Sequence, residues 1–158
     1  MKFKNLLFVC ISIIAFLNFV GCEKKSEWVQ INSVSADAAV RQHMDTLLVE
    51  SSSCLEGLSG DYAVRAIYSD SNFGSIDNCH DVSSINFGAH TLIVGKVRVY
   101  SDGDEIKSVT LSLKGNTYKV DVLLDPCVSG CNSIVSSKYF YKLYPQLNTG
   151  AKFEINVN

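Results

Sequence analysis

The side chains in this chain able to act as nucleophile, base or metal ligand fall in few places: six cysteines (Cys10, Cys22, Cys54, Cys79, Cys127, Cys131) and three histidines (His43, His80, His90). Cys79-His80-Asp81 is the densest cluster. A thiol–imidazole pair needs the ring poised to take the thiol proton, but neighbours in an extended segment point to opposite sides. The triplet therefore reads as a polar segment. Cys127 and Cys131 bracket Val128-Ser129-Gly130 behind Asp125-Pro126. A zinc site there would need two further ligands, and no second closely spaced cysteine pair or His-x-x-x-His supplies them. Serine chemistry lacks its motifs too: neither Gly-x-Ser-x-Gly nor Ser-x-x-Lys occurs beyond residue 21, and Gly57-Leu58-Ser59-Gly60 has the wrong spacing. His43 has polar neighbours suited to a solvated helix face, and His90 stands beside a strand. The sequence thus predicts no catalytic residue, no metal ligand and no cofactor. A small hydrolase or thiol enzyme built on His80 or the cysteines is the competing reading. Tyr139, Phe140, Tyr141 and Tyr144 are the remaining lead, because they place rings on both faces of one extended segment. Rings left on an accessible face suit a protein or glycan partner.

The elements that must position these residues follow from periodicity. Ser35 is a fitting helix N-cap with Asp37 in the first turn, and Val40, Met44, Leu47 and Leu48 recur at helical spacing. One amphipathic helix is expected over 36–49. Residues 51–60 have loop composition, 61–68 read as a strand, and 69–84 as irregular. Beyond them, 91–100, 106–114 and 117–124 are β runs separated by Asp102-Gly103 and Gly115-Asn116, both hairpin signals. A two-residue turn at Gly115-Asn116 sets Lys114 opposite Thr117, and then Leu113, Leu111 and Val109 opposite Tyr118, Val120 and Val122 on one dry face. Ser112 with Lys119 and Thr110 with Asp121 occupy the wet face. For Asp102-Gly103, only an odd-length loop puts Ile93 and Val97 on the face of Val109 and Leu111, so a bulge with Gly103 left-handed is expected. Residues 134–144 read as a further strand stopped by Pro145, with a helix as the alternative. Residues 152–157 close the chain with Phe153, Ile155 and Val157 inward. The expected fold class is α+β: one N-terminal amphipathic helix, then a mostly antiparallel sheet of five or six strands, as a compact sandwich or half-barrel.

The N-terminal segment has basic Lys2 and Lys4, then an apolar run from Leu6 to Phe19. About 14 residues at ~1.5 Å each reach roughly 21 Å, short of a ~30 Å hydrocarbon core, so the run is laid out as a secretion signal. It ends in Phe19-Val20-Gly21-Cys22 followed by Glu23-Lys24-Lys25. This junction resembles the lipobox of bacterial prolipoproteins, with Phe19 where that family usually has leucine. The resemblance implies cleavage after Gly21 and a diacylglyceryl group on Cys22, commonly with a further palmitate-type acyl chain on its amino group. Two or three such chains hold a protein stably on a bilayer. Localisation would be the cell envelope, at the outer membrane or the periplasmic face of the inner membrane.

With residues 1–21 removed, 137 residues remain with a formal charge near −4. They divide into a lipidated tether, 22–34, and a single β-rich globular domain, 35–158. Basic residues are scattered, which excludes nucleic acid as an expected partner. Four cysteines are left once Cys10 departs and Cys22 is acylated. In an oxidising compartment they are expected as two disulfides, with Cys54–Cys79 and Cys127–Cys131 favoured because each closes a local loop. The stretch Asn86-Phe87-Gly88-Ala89-His90-Thr91 with its apolar strand, and Tyr144-Pro145-Gln146-Leu147 downstream, resembles segments of small uncharacterised bacterial envelope lipoproteins; the likeness covers roughly 85–157 and implies no functional residue. Taken together, these features predict a membrane-anchored binding or assembly module. Its expected partners are the membrane, through acyl chains on Cys22, and an envelope protein or glycan. A structural envelope component is the other alternative.

Overall fold

The computed structural model describes residues 27–35, 57–75 and 85–158. Seven strands occupy them: β1 (Val29–Ile31), β2 (Tyr62–Ile67), β3 (His90–Ser101), β4 (Glu105–Lys114), β5 (Thr117–Asp125), β6 (Ser133–Pro145) and β7 (Lys152–Val157). They form a four-stranded sheet, β1-β4-β5-β7, and a three-stranded sheet, β2-β3-β6. β5 and β7 are parallel, because the chain between them crosses to the other sheet as β6 and returns.

The α+β expectation is corrected: the described residues are 58% strand and 5% helical, in two sheets. The one helix among them is α1 (Asp70–Gly74), a single turn inside the segment read as irregular. Ser69 Oγ accepts from the Asn72 N–H at 3.2 Å to cap it, Asp70 stands in its first turn, and Phe73 is buried. The helix expected over 36–49 lies outside the described residues. β1 falls within the residues read as tether and pairs with β4 from Val29 opposite Leu113 to Ile31 opposite Leu111.

The β4–β5 hairpin has the register expected from alternation, with Leu113, Leu111 and Val109 opposite Tyr118, Val120 and Val122. Gly115 at φ +59° starts the turn, and Asn116 has negative φ. Positive φ at only the first central position is the type II′ pattern.

The Asp102-Gly103 hairpin is corrected. β3 pairs with β2 and β6, never with β4, and Gly103 is not left-handed. The chain instead leaves one sheet and enters the other across residues 101–105. Register shifts do occur nearby, between Val99 and Ser101 on β3 and between Ile106 and Ser108 on β4, but each is made with a different partner strand. The expected facing of Ile93 and Val97 towards Leu111 is met across the sandwich rather than within a sheet, since all three line the core between the sheets.

Two apolar clusters result. The core between the sheets takes Ile93, Val97, Val99, Leu111, Val120, Val122, Phe140 and Tyr144, with Phe153, Ile155 and Val157 packed against it. On the far side of the three-stranded sheet, Leu92, Val94 and Leu143 meet Leu58, Ile67, Phe73 and Ile85. β3 is therefore buried on both faces, which is why its sequence is a continuous apolar run where β5 alternates. Gly95 stands opposite Phe140, and a side chain there would collide with the phenyl ring.

Candidate functional site

β6 is an edge strand of its sheet among the described residues. β4 is covered on its outer side by β1 only from residue 111 to 113. Between these two margins lies an open cleft of about 690 Å³. Ile106 to Val109 of β4 form one wall and Tyr139 to Leu143 of β6 the other. Residues 33–35 close one end, where the Val34 N–H donates to the Leu143 carbonyl at 2.8 Å. Lys107 and Lys142 are the only charged side chains among its described lining residues, and no carboxylate stands there. Mixed walls, with serines beside the apolar side chains and two ammonium groups, suit an extended ligand bearing carboxylates.

The aromatic residues singled out from the sequence divide by parity. Tyr139 and Tyr141 line the cleft, half-buried against the cluster on the outer side of the three-stranded sheet. Burial raises the Tyr139 phenol pKa above its ordinary value. Phe140 also borders the cleft but is 5% exposed, with its ring packed on Gly95. Tyr144 is 1% exposed inside the core between the sheets, and burial pushes its phenol up to about 12. Tyr144 is thus a packing residue. The signal that could have separated it from its neighbours is strand parity, combined with the knowledge that both faces of this strand are covered.

Cys127 and Cys131 are joined by a disulfide whose loop presents Val128 at 95% exposure. The loop is bound to the crossing at 101–105. Asp104 accepts from the Tyr100, Ser101 and Cys127 N–H groups at 3.1, 3.0 and 3.1 Å, and these bonds, led by the one from Cys127, lower its pKa. Asp102 accepts from the side-chain amide and the backbone N–H of Asn132 at 2.7 and 2.9 Å; the side-chain bond is the larger cause of its lowered pKa. These contacts make the region a structural clasp.

His90 opens β3 opposite Pro145, half-buried, and its N–H donates to the Asn86 carbonyl at 3.0 Å. Among the described residues no three His, Cys, Asp or Glu side chains converge as a metal site. Cys22, Cys54, Cys79, His43, His80 and Asp81 lie outside the described residues.

Sequence reasoning missed Trp28, which reads as part of the tether but stacks on the polar outer face of the four-stranded sheet. Its ring centre is 5.0 Å from Lys119 Nζ and 5.9 Å from Lys114 Nζ. No spacing rule links residue 28 to residues 114 and 119; β1 pairing brings them together. Comparison of the chain with protein-family models, curated proteins and solved structures found no match.

Proposed function

We propose that this chain is a lipid-anchored envelope protein whose β-sandwich is a non-enzymatic binding or assembly module. Its cleft between β4 and β6 would hold an extended acidic segment of another envelope macromolecule. The anchor rests on the sequence: Gly21-Cys22 stands where a signal-like apolar run stops and charge begins. The binding reading rests on one observation, a cleft of about 690 Å³ whose only charged lining groups, among the described residues, are Lys107 and Lys142. Its apolar side chains supply area to desolvate, its serines offer hydrogen bonds, and the ammonium groups choose the sign of the partner.

Capture from envelope extract with the full chain, compared with a Lys107→Glu/Lys142→Glu variant, tests the binding reading. A partner held by the parent and lost by that variant, yet kept by Arg65→Glu on β2, which does not line the cleft, is the expected result. Equal capture by both variants would remove the cleft as the site. The anchor is tested separately: Cys22→Ala should abolish lipid labelling and leave the precursor uncleaved, and normal processing of that variant would sink it.

A further inference from the structure

The end of the four-stranded sheet where the described chain begins is cationic. Trp28, Lys114, Lys119 and Lys152 gather around the Gly115-Asn116 turn, with Lys152 paired in register to Thr117. The segments 112–120 and 144–153 that build this end contain no Asp or Glu. Asp121 and Glu154 stand further along the strands, where Asp121 pairs with Lys119 at 3.0 Å and Glu154 is opposite Lys119 in register. Among the described residues no ion pair engages Lys114 or Lys152. The opposite end has the other sign, carrying Asp102, Asp104, Glu105 and Asp125 against Lys107 and Lys138, with Glu105 facing Asp125 in register. At ~3.3 Å per residue the two ends of the β4–β5 hairpin are roughly 30 Å apart.

Covalent reach then fixes which end meets the bilayer. Six residue steps separate Cys22 from Trp28, a span of at most ~21 Å when fully extended. The Trp28 end can never be further than that from an acylated Cys22, whereas the acidic end can be. Glu23, Lys24, Lys25 and Glu27 cancel in charge along the tether, so the lysines of the fold decide the attraction. Trp and Lys together are also the pair of side chains suited to a headgroup layer: the indole is amphipathic, and the lysine stem lies along apolar surface while its ammonium meets phosphate.

We infer that in the anchored protein this end, with Trp28, Lys114, Lys119 and Lys152, rests on anionic lipid headgroups. Trp28 then lies in the interface, and the acidic end with the Cys127–Cys131 loop faces away from the membrane. The inference rests on the lipid-anchor reading of Cys22. It adds an orientation to that reading, keeping the exposed Val128 and the clasp accessible from the aqueous side.

Trp28 is the chain's only tryptophan, so its fluorescence reports this surface alone. The lipidated full chain is reconstituted into vesicles of phosphatidylcholine, with and without phosphatidylglycerol, whose acyl chains carry bromine as a quencher. Flotation is measured on the same samples. Quenching of Trp28 is expected in the phosphatidylglycerol vesicles, with most of it lost in phosphatidylcholine alone or at high salt. Each lysine neutralised by Lys114→Gln or Lys152→Gln should lower the ratio of docked to undocked protein about fivefold. Protein that floats with the vesicles while Trp28 stays unquenched would overturn the orientation and leave the anchor intact. Quenching that ignores lipid charge and both substitutions would also overturn it, because tether length alone would then explain the contact. Protein that fails to float overturns the anchor reading itself, and the inference with it.

Discussion

Two connections in this molecule have nearly the same composition and opposite outcomes. Gly115-Asn116 folds the chain back within one sheet, whereas Asp102-Gly103 carries it from one sheet to the other. At the first, a left-handed glycine closes a tight turn, and Asn116 is fastened outward: its side-chain amide donates to the Gly150 carbonyl and its oxygen accepts from Asn148. At the second, no glycine is left-handed. The N–H groups of Tyr100 and Ser101 go to the Asp104 carboxylate, that of Asp102 to the Asn132 carbonyl and that of Gly103 to Ser101 Oγ, while the disulfide loop packs on Gly103. A Gly–Asp or Gly–Asn pair marks a change of direction; the partners of the surrounding N–H groups decide whether the next strand stays in the sheet.

The sharpest way to break this comparison is to place the same residue at both glycines. A β-carbon on Gly103 would stand 2.6 Å from Cys127 Sγ, while one on Gly115 meets nothing within 4 Å. Gly103→Asn should therefore cost roughly 1–3 kcal/mol of overpacking. Gly115→Asn meets no clash, but a side chain at φ +59° is strained, so it should cost about 1 kcal/mol from the backbone alone. Urea unfolding of the two variants checks the contrast, and equal losses would mean that the clasp yields freely.

A somewhat smaller effect is expected from Cys127→Ser with Cys131→Ser. Closing a loop this short is worth about 2 kcal/mol by chain entropy. The loss should be local: amide hydrogen exchange should quicken over residues 101–105 and leave the Lys114–Thr117 turn unchanged. Faster exchange at both ends would show that the two connections unfold together.

The smallest contrast is with pH. The depressed pKa values of Asp102 and Asp104 mean that the folded state binds fewer protons at these sites than the unfolded chain. Their contribution is present above the ordinary aspartate pKa, about 3.9, and is lost as pH falls through the lower folded values. Both carboxylates are at the surface, so the slope should be shallow and further reduced by salt. Asp104→Asn should flatten it, measured as the urea midpoint between about pH 5 and about pH 2.5; an unchanged slope would assign the acid sensitivity to other carboxylates.

Much of the four-stranded sheet was legible in advance. The β4–β5 register follows residue by residue from alternation and a two-residue turn, and Phe153, Ile155 and Val157 of β7 point inward as their spacing requires. Neither depends on distant chain. The failures share a cause. Alternation says that Val97 and Leu111 face one another, but hydrogen-bonded neighbours and opposed sheets satisfy that condition equally, so the crossing at 101–105 could not be read. Parity likewise separates Tyr139 and Tyr141 from Phe140 and Tyr144, yet it does not say that both sides of β6 are covered. The cleft had no sequence signature because Lys107 and Lys142 lie 35 residues apart on strands that never pair.

The sequence by itself determined β2, β3, β4, β5 and β7 as strands, though not β1, together with one hairpin register and the local loop that can join Cys127 to Cys131. These rest on short-range periodicity, turn chemistry and covalent reach. Only the tertiary structure decided that the strands divide into two sheets, that Trp28 meets Lys114 and Lys119, and that lysines gather at one end while carboxylates gather at the other. The physical reason is that burial on both faces of β3 and the clasp at Asp104 are satisfied only when segments far apart in the chain arrive together.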